Sequence, residues 1–508
     1  MKFIDKQLNN VTMYSLVLYY LILLYGVALY FSFLQAITLD PFALLFSLGV
    51  LLAVGWITNQ IFSRVFGVPA NVESVYITAI ILSLIITPPQ ASSDYWFLVW
   101  AGVLAMASKY IIAYKGKHLF NPAAFAIALT YFATNQSASW WIGNSYLLPV
   151  TIIGGLLVVR KIGRFDLVLT FIASNLVFTW FAGWFNGAPF FSTLQNSLYY
   201  SPIMFFAFII LTEPLTTPPT RKLRINYGAL LGFLFIPQLH FGSVFITPEL
   251  AIIIGNIYSF IVSPKDKLRL KLKDKVQLAP NIYEFTFTAP AKFNFKPGQY
   301  MEWTLGHSNP DNRGNRRYFT LASSPTENLV RLGVKFSDNP SSYKSSMLAM
   351  KKGSEIIAGQ LDGDFVLPDN RYKKCVLIAG GIGITPYRSM IKQLLDRNLR
   401  SSITLVYAVS DVKEIVYKDI LDRADRELGI KTIYSISNNV ADQKTNFATG
   451  QVTGRIDENL IRKAFPDLRA HTFYVSGSRD MVTGIKSVLR NAGVANSQIK
   501  EDFFAGLS

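Results

Sequence analysis

Arg316-Arg317-Tyr318-Phe319-Thr320-Leu321-Ala322-Ser323-Ser324-Pro325 sets a fixed cation, an aromatic ring and a hydroxyl ahead of a tight polar turn. On a strand, alternate residues point to one side, so Arg317 and Phe319 share a face. A guanidinium on that face pairs with phosphate in a bidentate way. The Phe319 ring suits an isoalloxazine surface, and Thr320 offers a hydrogen bond near a flavin's redox edge. An ordinary strand entering a turn uses the same residues, so the stretch does not decide alone. The glycine-rich turn at Gly380–Gly383 favours the ligand reading, and the apolar half upstream says where electrons would go.

The chain has 508 residues, of which 51% are hydrophobic, with mean hydropathy +0.30. The apolar residues are unevenly spread: residues 12–262 read as successive membrane spans and residues 265–508 as soluble α/β protein. Residues 1–262 carry 12 Lys/Arg against 7 Asp/Glu (+5), and residues 263–508 carry 37 against 25 (+12), giving the chain's +17. A basic soluble half suits an anionic leaflet or an anionic dinucleotide. Its cations are dispersed, so nucleic acid is not an expected partner. Cys375 is the only cysteine. That excludes an intrachain disulfide and a cysteine-held iron–sulfur cluster within this chain. No cleavable signal peptide is read, because Met1–Asn10 is polar and the first apolar run is long enough to span.

Ten apolar runs follow: 12–34, 41–63, 73–88, 95–113, 122–134, 145–160, 165–186, 197–214, 225–240 and 246–263. A crossing helix needs about 20 residues, and most runs reach that with their flanks. Every second connection is basic: Arg64; Lys115 and Lys117; Arg160, Lys161 and Arg164; Arg221, Lys222 and Arg224. Lys2 and Lys6 precede the first run, and Lys265, Lys267, Arg269, Lys271 and Lys273 follow the last. The positive-inside rule then places both termini in the cytoplasm of an integral, multi-pass protein.

Two connections carry chemistry. In Lys117-His118-Leu119-Phe120-Asn121-Pro122-Ala123-Ala124, Asn121 stands at an N-cap and Pro122 in the first helical turn. The amide end of such a helix attracts an anion such as a flavin phosphate, although a plain capped start has the same sequence. Thr212-Glu213-Pro214-Leu215-Thr216-Thr217-Pro218-Pro219 ends a span on an acid, functional or merely interfacial.

These pieces, with Glu73–Thr78, Pro88-Pro89 and Leu211–Gly232 including Asn226-Tyr227-Gly228, resemble the membrane flavin subunits of sodium-pumping NADH:quinone reductase and the Rnf complex. The resemblance covers roughly residues 10–262. It implies a bundle of about ten helices holding flavins. The family's covalent FMN is carried by a threonine in an Asp-x-x-Ser/Thr-Gly-Ala-Thr pattern. The corresponding connection here reads Ala133-Thr134-Asn135-Gln136-Ser137-Ala138-Ser139. This departure from the pattern makes FMN or riboflavin held without a covalent link the expectation, and the two connections above supply its expected contacts: Asn121, Pro122, Thr212, Glu213, Thr216 and Thr217. A haem-bearing ferric reductase is the competing architecture. It needs paired histidines in spans, and only His118 and His240 lie in this half, near span ends.

Downstream, Lys275–Thr288, Gly298–Leu305, Arg317–Ala322, Val330–Phe336 and Glu355–Ala358 read as strands of a small barrel. Ser341-Ser342-Tyr343-Lys344 precedes a short helix, Ser345–Met350, whose hydroxyls and amides suit a pyrophosphate or simply cap it. Residues 371–508 alternate strand and helix, as in a parallel sheet. The strand Cys375–Ala379 runs into Gly380-Gly381-Ile382-Gly383-Ile384-Thr385-Pro386 and the helix Tyr387–Arg397, a dinucleotide-type turn. The strand Thr472–Val475 ends in Ser476-Gly477-Ser478, and the chain closes on Phe503-Phe504 in what reads as a disordered tail.

In this order the features resemble the ferredoxin–NADP reductase superfamily over residues 270–508. The resemblance implies FAD on the barrel and NADH or NADPH on the sheet. Arg317, Phe319 and Thr320 take the Arg-x-Tyr-Ser role, with Ser342 on the pyrophosphate. Gly380, Gly381, Gly383, Thr385 and Pro386 take the nucleotide-phosphate role. Ser476, Gly477 and Ser478 stand where the family has Cys-Gly-Pro beside the nicotinamide, and Phe503 and Phe504 are further expected cofactor contacts. Thr320 and Ser476 are the expected catalytic residues; no metal ligands are expected.

The expected architecture is a polytopic α-helical membrane domain (1–264) fused to a flavin-binding antiparallel β-barrel (265–370) and an α/β parallel-sheet nucleotide-binding domain (371–508). The expected activity is an NAD(P)H-dependent flavoprotein oxidoreductase that passes electrons through FAD to a membrane flavin. The acceptor beyond it is open: quinone, flavin or an extracytoplasmic redox partner. Two alternatives remain. One is a quinone, ferric or flavin reductase whose helices only anchor it in lipid; the other is a transporter whose soluble domain senses redox state.

Overall fold

The computed structural model describes residues 4, 7–8, 11–67, 72–114, 117–185, 187–237, 239–263, 267–307, 311, 314–437 and 451–503. The chain divides into two compact units, Met1–Lys265 and Asp266–Ser508.

In the first unit, helices start and stop where local chemistry dictates. Asp40 caps the helix Pro41–Phe66 by accepting from the Ala43 amide at 2.7 Å, and Gly67 ends it at φ +62°. Asn121 and Thr247 cap Pro122–Thr134 and Pro248–Val262, each with proline in the first turn. Three described helices, Met13–Phe33, Pro41–Phe66 and Phe165–Phe185, are long and apolar enough to cross a membrane. Val72–Ile85, Pro122–Thr134 and Pro248–Val262 are shorter and apolar. Only about a third of each long helix is buried (33%, 28% and 28%), so their apolar residues mostly face outward, as lipid contact requires.

The helices approach through small residues. A methyl on Gly228 would stand 2.8 Å from the Leu167 carbonyl oxygen, and one on Gly232 would stand 2.7 Å from that of Phe171. The helices Arg221–Leu234 and Phe165–Phe185 thus touch backbone to backbone at a Gly-x-x-x-Gly pair. Run 197–214 departs from the expected continuous span. The helix Phe190–Tyr199 stops before Pro202, and only Ile203–Phe205 and a buried π-helical turn, Phe206–Ile210, follow. Proline cannot continue a helix, which explains the break.

The second unit contains two sheets. The first is antiparallel, in the order Arg316–Thr320, Tyr300–Thr304, Glu355–Asp362, Leu268–Ala279, Ile282–Thr288, Leu329–Lys335. Its two edges meet where the Ala322 amide donates to the Arg331 carbonyl at 2.9 Å, so the sheet is curled on itself. The expected single strand Lys275–Thr288 is in fact part of a hairpin, Leu268–Ala279 with Ile282–Thr288. Asn281 at φ +58° makes the turn, a conformation asparagine tolerates better than most residues. The second sheet is parallel throughout, in the order Gln451–Thr453, Lys431–Ile436, Ile403–Val409, Lys374–Gly380, His471–Gly477, Ile499–Phe503. Ligands of such sheets sit beyond the carboxyl ends of the strands. The expected disordered tail is corrected up to residue 503, because Ile499–Phe503 is the sheet's edge strand.

Candidate functional site

The curled sheet holds Arg317 and Phe319 against one ring. The Arg317 guanidinium lies 5.1 Å from the Tyr343 ring centre, and the Phe319 and Tyr343 rings are 6.1 Å apart. Arg317 also donates to the carbonyls of Gly314 (3.1 Å) and Arg316 (2.7 Å) and stands 3.6 Å from Asp311. Asp311 accepts from the Ser342 amide at 3.2 Å, while the Ser342 hydroxyl takes the Asp311 amide at 2.9 Å and faces His307 at 3.1 Å. Arg317, Phe319 and Ser342 therefore converge around Tyr343 and Asp311. Burial holds the Tyr343 phenol well above its usual range, so the ring stays neutral. Thr320 is 3% exposed and its hydroxyl has no hydrogen-bond partner among the described residues. A buried hydroxyl normally has one. That unpaired group fits a cofactor contact at the predicted position.

On the parallel sheet, Ala379 and Ser476 are register partners, so both strands end side by side. The first runs into a 3₁₀ turn, Gly381–Ile384, and the helix Thr385–Asp396, with Thr385 and Pro386 buried at its start. Gly381 adopts φ +53° with open space where a side chain would be. At Gly383 a methyl would lie 2.3 Å from the Ser476 carbonyl oxygen, and at Gly380 and Gly477 it would lie 2.8 and 2.9 Å from the Met481 sulfur. At Gly383 only glycine lets the two backbones come this close, and the turn leaves backbone amides beside the strand ends. Ser476 is fully buried, and its hydroxyl has no hydrogen-bond partner among the described residues. Ser478 instead caps the next helix, accepting from the Met481 amide at 3.4 Å. The donor set fits a dinucleotide: backbone amides for phosphates and one buried hydroxyl.

Phe503 ends the edge strand with its backbone opposite Gly477; Phe504 lies outside the described residues. The residue the sequence reading missed here is Asp502, register partner of Ser476. Burial alone pushes its carboxyl up to about 7, and Asp502 Oδ2 has no hydrogen-bond partner among the described residues. Nothing local in Glu501-Asp502-Phe503 marks it, because the pairing is long-range. Asp411 follows the strand Ile403–Val409 and accepts from the Lys413 amide at 2.8 Å.

In the first unit, the two singled-out connections meet. Asn121 Nδ2 donates to Glu213 Oε2 at 2.9 Å, and His118 Nε2 lies 2.8 Å from Glu213 Oε1. Thr216 Oγ1 donates to Glu213 Oε2 at 3.4 Å. Thr212 and Thr217 turn back on their own backbone, donating to the Phe208 (2.7 Å) and Pro214 (3.4 Å) carbonyls. Behind them the Asn121 amide donates to Asn256, whose Nδ2 donates to Tyr227. Pro122 opens the helix, whose free Ala124 amide is already taken by Asn121 Oδ1 at 3.1 Å. Lys222 is exposed, and the side chain of Lys117 lies outside the described residues. Among the described residues, Lys109, which the sequence reading passed over, is a cation in electrostatic reach of Glu213. It donates to Ser74 and Thr78, one helical turn apart. The π-helical turn leads directly into Thr212-Glu213, and such turns recur at functional sites.

Residues 141–264 match the NQR2, RnfD, RnfE family, and residues 377–487 match the oxidoreductase NAD-binding domain. A flavohemoprotein of Rhodopirellula baltica is 30% identical over 223 residues, 41% of this chain and 53% of that protein. A flavohemoprotein of Oceanobacillus iheyensis is 25% identical over 218 residues, 42% and 52%. The chain thus spans about half the length of these relatives. The FAD/NAD-binding domain of Vibrio cholerae nitric oxide dioxygenase aligns at 20% identity over 47% of this chain and 98% of that one, with TM-score 0.40. Part of the first unit is thus similar to the NQR2, RnfD, RnfE family, and part of the second is similar to oxidoreductase NAD-binding domains.

Proposed function

We propose that this chain is a membrane-bound NAD(P)H-dependent flavoprotein oxidoreductase in which the soluble half feeds electrons to a flavin in the membrane half and on to an acceptor in or across the membrane. Residues 1–264 form a ten-crossing bundle with both termini in the cytoplasm, 265–370 the flavin domain and 371–508 the nucleotide domain. The observation that carries the reading is the close approach of the Gly381–Ile384 turn to the end of the strand His471–Gly477, where Gly383 has no room for a side chain and the buried Ser476 hydroxyl has no hydrogen-bond partner among the described residues.

Bound FAD and nicotinamide supply the hydride and electron chemistry. Arg317 holds pyrophosphate charge, Phe319 and Tyr343 form the apolar wall, and Thr320 offers its hydroxyl to the reactive edge. The Gly380–Gly383 amides and the start of the Thr385 helix hold nucleotide phosphates. Ser476 orients the ring that enters beside it, and the buried strands around it exclude water.

The membrane flavin is assigned to the Asn121–Glu213 cluster. A helix bundle that served only as an anchor would not need an acid, a histidine and an asparagine bonded together between its helices, where such groups are costly. A cofactor inventory of the whole chain, with anaerobic addition of NADH, tests the reading. FAD, a second flavin and bleaching of flavin absorbance are expected. A preparation that binds FAD but is not bleached by NADH or NADPH would sink it.

A further inference from the structure

The helix beneath the glycine turn is bonded directly to the strand exit that carries Thr320. Arg388 is 4% exposed. Its Nη1 donates to the Ala322 carbonyl at 3.0 Å and to Glu327 Oε2, and its Nη2 donates to Glu327 Oε1 at 3.0 Å. The fully buried Ser389 donates to the Ser323 carbonyl at 2.6 Å. Two consecutive helix residues thus grip two consecutive carbonyls just beyond Thr320. Glu327 also accepts from the Ser324 amide at 2.7 Å and from Arg331 Nε at 3.2 Å. Arg331 passes on to Glu284. Nearby, a methyl on Gly333 would stand 2.8 Å from both the Thr385 methyl and the Tyr417 hydroxyl, so sheet and helix also touch there.

We propose that the Arg388–Glu327 pair is a positioning device for hydride transfer, fixing the Thr320 segment against the helix that opens under Gly381–Ile384. It rests on the flavin and nucleotide sites proposed above. Thr385 and Arg388 are within one helical turn, and Ala322 is two residues from Thr320, so the path between the two cofactor-holding segments is short and stiff. A guanidinium fork on a carboxylate fixes direction as well as distance, which a lysine would not. Burial works to raise the Glu327 pKa, but the guanidiniums of Arg388 and Arg331 overcome it and hold the carboxylate ionised. The two cofactors are thereby presented at a preset separation and need no closure of one lobe on the other. Neither Arg388 nor Glu327 is among the proposed cofactor contacts.

The test uses the full-length protein. An open cleft of about 350 Å³ borders the pair, so Arg388→Lys and Glu327→Gln have room to be accommodated. Anaerobic stopped-flow with NADH and its C4-deuterated form reads the hydride step; flavin content and nucleotide affinity are measured separately. Misplacement of the reacting groups predicts a rate lower by about 10- to 100-fold and an altered isotope effect, with flavin occupancy and affinity within about twofold. Folded single variants with wild-type rate and isotope effect would overturn the inference while leaving the flavin reading intact. If a single variant fails to fold, Ser389→Ala applies the same criterion through the neighbouring bond. Wild-type protein that NADH does not reduce would instead overturn the flavin reading, and this inference with it.

Discussion

Gly383 and Ser476 stand so close that a β-carbon on the glycine would lie 2.3 Å from the serine carbonyl oxygen. The obstacle is backbone on a central strand, so it cannot move aside without disturbing the sheet. Gly383→Ala is therefore expected to destabilise the soluble unit by about 1–3 kcal/mol, the usual cost of overpacking, and to abolish NADH-dependent flavin reduction. Gly381 has open space around it but φ +53°. Gly381→Ala should cost about 1 kcal/mol of backbone strain and leave more activity. Thermal unfolding and NADH oxidation of both variants check the contrast; equal behaviour would show that the close approach is not needed.

Arg317→Ala should deplete FAD while the fold persists. Losing a charge-assisted contact costs about 1.5–3 kcal/mol, or roughly ten- to a hundredfold in flavin affinity. Phe319 and Tyr343 keep their mutual packing without the guanidinium, which is why folding should survive. Flavin content after gel filtration is the measurement, and full occupancy in the variant would mean that Arg317 serves only Asp311 and its local carbonyls.

Asp502 is expected to make the second unit less stable as pH rises. Its ordinary pKa is 3.8 and burial lifts it to about 7, so between those values the folded state holds a proton that the unfolded state has released. Folded stability is then lost as pH climbs from about 4 towards 7 and is level beyond, with a slope of at most about 1.4 kcal/mol per pH unit. Asp502→Asn keeps the shape without the charge. The gap between variant and wild-type unfolding temperatures should widen from pH 5 to pH 7.5; a constant gap would show that Asp502 is solvated.

NADH is the expected reductant. Asp411 follows the strand Ile403–Val409, where a carboxylate suits free ribose hydroxyls and opposes a 2′-phosphate. Asp411→Ala should narrow the preference, read as the ratio of kcat/KM for NADH and NADPH. A wild-type preference for NADPH would assign the phosphate to Lys413.

Much of this was legible from local pattern. The period of two in Arg317-Tyr318-Phe319 put two side chains on one face, and both do meet Tyr343. The run of glycines announced a backbone approach because no other residue permits one. What was hidden depends on partners far away in sequence. Asp502 is brought opposite Ser476 only by the long-range pairing of its edge strand. Arg388 reads as an ordinary helix residue until Glu327 is brought against it. Lys109 is a single charge inside an apolar run, and its meaning comes from Ser74 and Thr78 on another helix. The Lys275–Thr288 hairpin was missed because its alternation of apolar residues runs on through the turn at Asn281.

The last prediction concerns the membrane half. Asn121 joins the amide end of the helix Pro122–Thr134 to Glu213, and both are held from behind by Asn256 and His118. The amide that would hold a phosphate already bonds Asn121 Oδ1, and the nearest acidic group is a carboxylate. A second negative charge there is unfavourable, whereas hydroxyl groups can donate to Glu213. The expected occupant is therefore a neutral riboflavin in preference to FMN, bound without a covalent link. Acid denaturation of the full chain should release FAD and riboflavin into the supernatant, identified by mass. Glu213→Ala should lose riboflavin by roughly tenfold or more in affinity, as expected for a hydrogen bond to a charged group, while FAD stays. Flavin retained on the precipitated protein would establish a covalent link, and FMN in the supernatant would mean that Lys109 or another cation neutralises the phosphate. Release of FAD alone from a folded preparation would reduce the helices to an anchor.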